Sequence, residues 1–275
     1  MNVIEIKDFS KSYGKFNAVK GIDLTVEKGL IVGFVGKNGA GKSTTIRTML
    51  NMLSATEGTI NILGLDSRKD SKKIKSMMSY VPSESAFYDN ITCEKLLLFA
   101  LSFTKTSAEE MRNLAQYFEL DLSKKVNELS LGNKKKLSLI QGFIKDAELI
   151  VLDEPTNGLD PLMQDKFFKL ILEEKQKGKT IFLSSHNLAE VEKYCDKVAI
   201  INDGNIVDFL DMKDVKIKHK QVVSYTTKEG KSEHYEINED INELISKLAK
   251  LDVESLEIKT KTVEDEFISY YKKKD

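Results

Sequence analysis

The sequence predicts an α/β fold built on a parallel sheet, with an inserted helical block and a small C-terminal appendage. Three observations predict it. Apolar runs at residues 30–35, 149–152, 180–183 and 198–201 have the length and continuous hydrophobicity of strands buried on both faces. Helical spacing at 162–174 and 188–194 separates several of them, and strands alternating with helices build parallel sheets. The alternation breaks once, across 88–147, where helical periodicity recurs at 91–103, 108–118 and 131–144 with no strand pattern between.

The remaining elements fall around this frame. Residues 3–6 and 22–26 alternate apolar and polar as half-buried strands do. The run at 30–35 leads straight into Gly36-Lys37-Asn38-Gly39-Ala40-Gly41-Lys42-Ser43-Thr44, and Ile46, Met49, Leu50 and Leu53 then repeat at helical spacing. Residues 58–63 read as another strand, and 66–75 as a polar, lysine-rich surface stretch. After about residue 211 the character changes. Strands at 222–226 and 234–237 flank Lys228-Glu229-Gly230-Lys231 as a hairpin, followed by a helix at 241–251, a strand at 253–258 and a helix at 263–271. Two domains are expected: 1–211, with a helical subdomain at about 84–147, and a ββαβα appendage at 212–275.

Composition bounds the function. A chain of 275 residues, 41% hydrophobic and 31% charged, has enough apolar content for a folded core. Lys+Arg (42) and Asp+Glu (43) balance to a net charge of −1, which excludes the basic excess of a general nucleic-acid coat. Cys93 and Cys195 form neither a CxxC pair nor a disulfide framework, so they fit a reducing compartment and a structural role. Met1-Asn2-Val3-Ile4-Glu5 lacks the basic start and apolar run of a signal peptide. The longest uncharged apolar-rich stretch, 96–104, falls well short of the roughly 20 residues of a transmembrane helix. The chain is expected not to span a membrane and to work at one only through a partner.

Two motifs carry chemistry. Gly36-xxxx-Gly41-Lys42-Ser43 matches the phosphate-loop pattern. Its glycines let backbone N–H groups wrap a phosphate, and the following helix aims its positive end at the same anion. Lys42 supplies a point charge and Ser43 a hydroxyl ligand for Mg²⁺. An ordinary glycine turn lacks the apolar strand before and the amphipathic helix after, both present here. In the second motif, Asp153 and Glu154 end the apolar run 149–152, at the strand end where open α/β sheets bind ligands. Asp153 suits Mg²⁺ held through water, and Glu154 suits polarisation of an attacking water.

Together with the segments that follow, these motifs resemble the nucleotide-binding subunit of an ATP-binding cassette (ABC) transporter, over roughly residues 3–208. The resemblance implies a P-loop core, an N-terminal antiparallel β region and an inserted helical subdomain. Tyr13 sits where the family stacks an aromatic on adenine. Gly36, Asn38, Gly39, Ala40, Gly41, Lys42, Ser43 and Thr44 fall in its phosphate loop. Leu129-Ser130-Leu131-Gly132-Asn133 falls at its signature, with Ser130 and Gly132 as the pair that caps a γ-phosphate. Asn157-Gly158-Leu159-Asp160 resembles the loop that couples two sites across a dimer, and His186 matches the switch histidine. Two departures stand out. Ser83 follows Tyr80-Val81-Pro82 where the family usually has glutamine, and a serine cannot make the same reach. The signature has Leu131 for its first glycine and Asn133 for its glutamine. Both resemble the branch of exporters that move drugs, bacitracin-like antibiotics and small peptides.

The resemblance implies an ATPase that uses ATP and Mg²⁺, with Lys42, Glu154 and His186 catalytic and Ser43 and Asp153 on the metal. It implies a second cassette subunit, identical or not, and a separate polytopic transmembrane subunit at the inner face of the cell membrane, with no nucleic acid bound. Phe87 and Tyr88 fall in a groove that would receive the membrane partner. Plainer readings assign Leu96-Leu97-Leu98-Phe99 to the core of the helical block, and Lys134-Lys135-Lys136 and Lys272-Lys273-Lys274 to solvated faces. The alternatives are a non-transport ATPase of the same superfamily acting on ribosomes or DNA, and a P-loop kinase for a small molecule. A single phosphate loop and a short insertion argue against the first, and the signature-like segment with His186 against the second.

Overall fold

A computed structural model describes residues 1–217, 221–237 and 241–260; the helix expected at 263–271 and the lysine run at 272–274 lie outside them. The chain divides into two compact units, Met1–Leu210 and Asp211–Asp275.

The first unit opens with a long hairpin, β1 (Asn2–Tyr13) and β2 (Phe16–Glu27). It exceeds the strands expected at 3–6 and 22–26 because its register shifts between Ile6 and Phe9, with Asp8 at φ 47°, and a bulge breaks the period of two that marks a strand. Next come β3 (Ile31–Val35), the phosphate loop and α1 (Lys42–Met49). Then β4 (Glu57–Ile62) and β5 (Leu65–Asp66) complete a sheet of order β2-β1-β4-β5. The stretch read as featureless surface instead holds part of β5 and a helix, α2 (Ser71–Met77), whose Ile74 is buried. A short strand that the sequence reading missed, β6 (Met78–Val81), follows it.

The helical block comprises α3 (Cys93–Leu101), α4 (Ala108–Tyr117), a 3-10 turn (Val126–Glu128) and α5 (Leu131–Phe143). Side chains define its starts. Thr92 accepts from the Lys95 N–H, Ser107 and Glu110 form a reciprocal capping box, and Ser130 accepts from the Asn133 N–H. Leu96 and Leu97 are buried as expected, but Leu98 and Phe99 are exposed, so that tetrad is only half core. The alternation resumes with β7 (Leu149–Asp153), α6 (Pro161–Gln176), β8 (Thr180–Ser185), α7 (Leu188–Tyr194) and β9 (Lys197–Asn202). The Asp203-Gly204 turn, both residues at positive φ, leads into β10 (Asn205–Asp211), also missed from sequence. The helical block is tied to the core: the Tyr117 hydroxyl donates to the Lys166 carbonyl (2.8 Å), and the Lys166 ammonium donates to the Tyr117 carbonyl (2.9 Å).

The main sheet runs β10-β9-β3-β8-β7-β6, with parallel pairing of β3 to β8 and β9, and of β7 to β6 and β8. Val32, Phe34, Val151, Phe182 and Ile201 share one buried cluster with Ile46 and Met49 of α1 and with Ile4, Ile6, Phe9 and Ile60 of the hairpin sheet. Each such side chain contributes about 1.5–3 kcal/mol by leaving water. This packing puts the carboxyl ends of β3, β8 and β7 side by side. Val35 pairs with Ser185, and Asp153 with Ser184.

The second unit holds α8 (Met212–Ile217), β11 (Gln221–Thr227), β12 (Ser232–Ile237), α9 (Ile241–Leu248) and β13 (Val253–Thr260). Its antiparallel sheet, β12-β11-β13, buries Val223 and Tyr225 with Leu244 and Leu248 of α9. The ββαβ order matches the periodicity; α8 was not foreseen.

Candidate active site

The phosphate loop turns at the carboxyl end of β3. The Ala40 N–H donates to the Lys37 carbonyl (3.1 Å), closing the turn. Gly41 precedes α1 at φ 111°, and a Cβ there would stand 2.7 Å from the Ala18 carbonyl oxygen, so only glycine fits. No side chain caps α1 and its first turn holds no acid, which leaves N–H donors and the positive dipole end for an anion. Lys42, 5% exposed, donates to the carbonyls of Gly36 (2.6 Å) and Lys37 (3.3 Å). Its ammonium also lies 3.2 Å from Glu154 Oε1, an ion pair without hydrogen-bond alignment.

The acids come from β7. Asp153 is fully buried, and its Oδ1 accepts from the hydroxyls of Ser184 (2.6 Å) and Ser43 (3.2 Å). Its Oδ2 has no hydrogen-bond partner among the described residues. A buried carboxylate oxygen without a donor fits a cation or its water, and the neighbouring Ser43 hydroxyl fits the sparse protein ligation that Mg²⁺ favours. Glu154 sits at φ 48°, a left-handed conformation that costs a non-glycine residue about 1 kcal/mol, and such strain concentrates at functional sites. Its Oε2 lies 2.8 Å from His186 Nδ1. A carboxylate only accepts, so Nδ1 carries the proton and the half-exposed ring is fixed by its acid.

A cleft of about 410 Å³ is lined by Tyr13, Phe16, Asn38, Gly39, Gly41, Lys42, Ser43, Thr44, Ser83, Glu154 and Asn157, among others. Tyr13 ends β1, directly paired with Phe16 at the hairpin tip, and the Lys11 ammonium sits 5.0 Å from its ring centre. Both aromatics are exposed. Ser130 and Gly132 are absent from this cleft's lining. They open α5 beside the 156–159 turn, where a Cβ on Gly132 would meet the Gly158 carbonyl oxygen at 2.8 Å. Leu131 between them is 77% exposed.

Several contributors were not singled out from sequence. Ser184 is a hub: its hydroxyl also accepts the buried Glu154 N–H (3.0 Å). Its signal was its place two residues before His186 at the end of an apolar strand. Ser184→Ala is expected to leave the buried Glu154 N–H unpaired and Asp153 Oδ1 with the longer Ser43 bond alone, at a cost of about 2 kcal/mol, read as a melting temperature lower by roughly 4–8 °C; an unchanged melting temperature would deny it that role. Phe16 carried no signal beyond its distance from Tyr13. Tyr80 is pushed up to about 12 by burial and by the Asp153 charge, against the Arg47 side chain bonded to it. Glu190 accepts from the Thr156 hydroxyl (3.0 Å), and its carboxyl is pushed up mainly by burial. Lys135, placed on a solvated face by its neighbours, is 6% exposed; the spacing to buried Ser138, Leu139 and Gly142 marks its face as the inner one.

The family model for ABC transporters matches residues 19–157. Across 80% of its length the chain is 31% identical to the ABC transporter ATP-binding protein YtrB of Bacillus subtilis, covering 76% of that protein. It is 33% identical to the bacitracin transport ATP-binding protein BcrA of Bacillus licheniformis, over 81% of this chain and 74% of that one. A solved ATP-binding subunit of an ABC transporter superposes with a TM-score of 0.72 at 31% identity, over 78% of this chain and 92% of the other.

Proposed function

This chain belongs to the ABC transporter family as an ATP-binding ATPase subunit, and from that premise we propose that it powers a separate transmembrane exporter by ATP-driven closure of a two-subunit dimer. The observation that carries hydrolysis is the convergence of Lys42, Ser43, Asp153, Glu154 and His186 at three adjacent strand ends. Similarity to a bacitracin transport subunit supports an exporter of drug, antibiotic or peptide cargo.

In this reading the phosphate-loop N–H groups of Gly39, Gly41 and Thr44 and the Lys42 ammonium hold the β- and γ-phosphates, while the Ala40 N–H keeps the turn closed on the Lys37 carbonyl. The nearby Gly36 and Asn38 shape the loop, and Tyr13, with Phe16, stacks the base. The Ser43 hydroxyl, and Asp153 through water, would hold Mg²⁺, which when bound would supply charge stabilisation to the phosphate oxygens. Glu154 takes the proton of the attacking water, and its left-handed backbone and pairing with Lys42 and His186 fix where its oxygens point. His186, held at Nδ1 by Glu154, would offer its other ring nitrogen to the terminal phosphate. Ser130 and Gly132, outside their own subunit's cleft, reach the phosphate of the second subunit from the start of α5.

Among the described residues, no helix is long and apolar enough to cross a membrane. In this reading its access to a membrane comes through a partner, and the exposed Tyr88, Leu98, Phe99 and Phe103 offer apolar surface for it. The subunit would lie on the cytoplasmic face. The test is a pull-down of tagged Glu154→Gln chain from detergent-solubilised native membranes with MgATP. A polytopic membrane protein in near-stoichiometric amount is expected; recovery of ribosomes, DNA or no partner would overturn the exporter reading.

A further inference from the structure

Lys135 is buried where its two lysine neighbours are not. It lies on α5, five residues beyond the Ser130 cap, and its ammonium donates to the carbonyls of Pro82 (3.1 Å) and Ser83 (3.3 Å) in the loop after β6. One turn further along the same face, Ser138 takes a second bond from that loop, from the Ser85 hydroxyl (2.7 Å). Lys135 lines a cleft of about 440 Å³ that shares Ser83 and Asn157 with the cleft holding the phosphate loop and Glu154.

A neutral amide could tie the loop to the helix at a much lower desolvation cost than an ammonium. An ammonium also has three donors, and the described hydrogen bonds use two. Burial pulls the Lys135 pKa down to about 8, while the charges of Asp153 and Glu154 hold it up. At neutral pH the group remains largely a cation, buried, and within the electrostatic reach of the two acids of the site. The charged groups around it are Asp153 and Glu154 from the end of β7, Glu84 on the loop and Lys134 on its own helix.

We propose that Lys135 is a positioning residue for hydrolysis: its buried charge, carried on the helix that begins at Ser130, sets the Ser83 loop and the field at Glu154. The inference rests on the ATPase reading and adds to it a link within one subunit. That link joins the helix that presents Ser130 and Gly132 to the acids of the same subunit's own site. A shift of α5 then moves a positive charge relative to Asp153 and Glu154, so contact at one nucleotide bears on the readiness of the other.

The test compares the full-length chain with K135Q, which keeps an amide donor for the carbonyls but no charge, and K135R, which keeps the charge. The control Ser138→Ala releases the second tie alone. Steady-state kcat and KM for MgATP, equilibrium binding of a fluorescent ATP analogue and melting temperature are read for each. K135Q is expected to lower kcat about tenfold with KM and binding within twofold of wild type. K135R should restore kcat to within about threefold, and Ser138→Ala should stay near wild type. The proposal is overturned by wild-type kcat in K135Q, by equal losses in K135Q and K135R, or by a K135Q chain that loses folding or ATP binding, which marks a structural tie only. Wild-type chain that binds but does not hydrolyse ATP would instead strike the ATPase reading on which the proposal stands.

Discussion

Replacing Glu154 with glutamine is expected to lower steady-state ATP turnover by about 10²–10³-fold and to leave ATP binding in place, the scale on which the general base proposed for Glu154 would contribute. The substitution keeps the shape of the side chain. Glutamine tolerates the backbone at φ 48° no worse than glutamate, and its amide oxygen still accepts from His186 Nδ1, so the ring keeps its orientation. The charge that would take a proton from water is lost. The Lys42 ammonium is also released from its carboxylate partner and turns wholly to phosphate. Binding is therefore expected to hold while the step after it stalls, and ATP-bound dimer to accumulate. Phosphate release measures the first part, and light scattering with and without ATP the second. Turnover at the wild-type rate would remove Glu154 from its role, whatever happens to the dimer.

The parts of the site that the sequence shows plainly are those made by contiguous residues. The phosphate loop is one turn between a strand and a helix, and its lysine, serine and glycines act through that turn's own geometry. Asp153 and Glu154 are legible because an apolar strand ends on them. Ser184 and Lys135 are different: each acts through residues distant in the chain. Ser184 reaches Asp153 only because β8 lies beside β7 in the register that pairs the two residues. Lys135 reads as one of three solvated lysines until α5 is laid against the loop after β6. Phe16 joins Tyr13 only through the hairpin register.

The fold divides in the same way. Strands buried on both faces announce themselves by continuous hydrophobicity, and so β3, β7, β8 and β9 fall where the sequence puts them. The short edge strand β6 carries two polar residues in four, and α2 hides a single buried isoleucine among lysines. Neither has a local pattern strong enough to separate it from a surface loop. Their structure comes from pairing with β7 and packing under it, which no window of sequence contains.

Lys42→Met is expected to weaken ATP binding by about 10- to 100-fold, the value of a hydrogen bond to a charged group, and to destabilise the chain before any nucleotide is added. The second effect follows from burial. The side chains of Lys42 and Glu154 are 6% and 10% exposed, and methionine fills the lysine's volume without its charge. Glu154 Oε1 then sits buried with no cation, and the Gly36 carbonyl loses its donor at 2.6 Å. Breaking such a pair from one side costs about 3 kcal/mol, or roughly 6–12 °C in melting temperature for a chain of this size. The penalty belongs to the orphaned acid rather than to the absent lysine. A second substitution, Glu154→Gln, removes that orphan, so the double variant should recover most of the stability while remaining unable to bind ATP tightly or to hydrolyse it. Melting temperatures of the four chains close the cycle. A coupling of about 2 kcal/mol is the expected result, and one below about 0.5 kcal/mol, the range of independent sites, would mean that the two charges do not depend on each other in the folded protein. Recovered stability with unrecovered binding separates the two tasks of Lys42, balancing a buried acid and holding a phosphate.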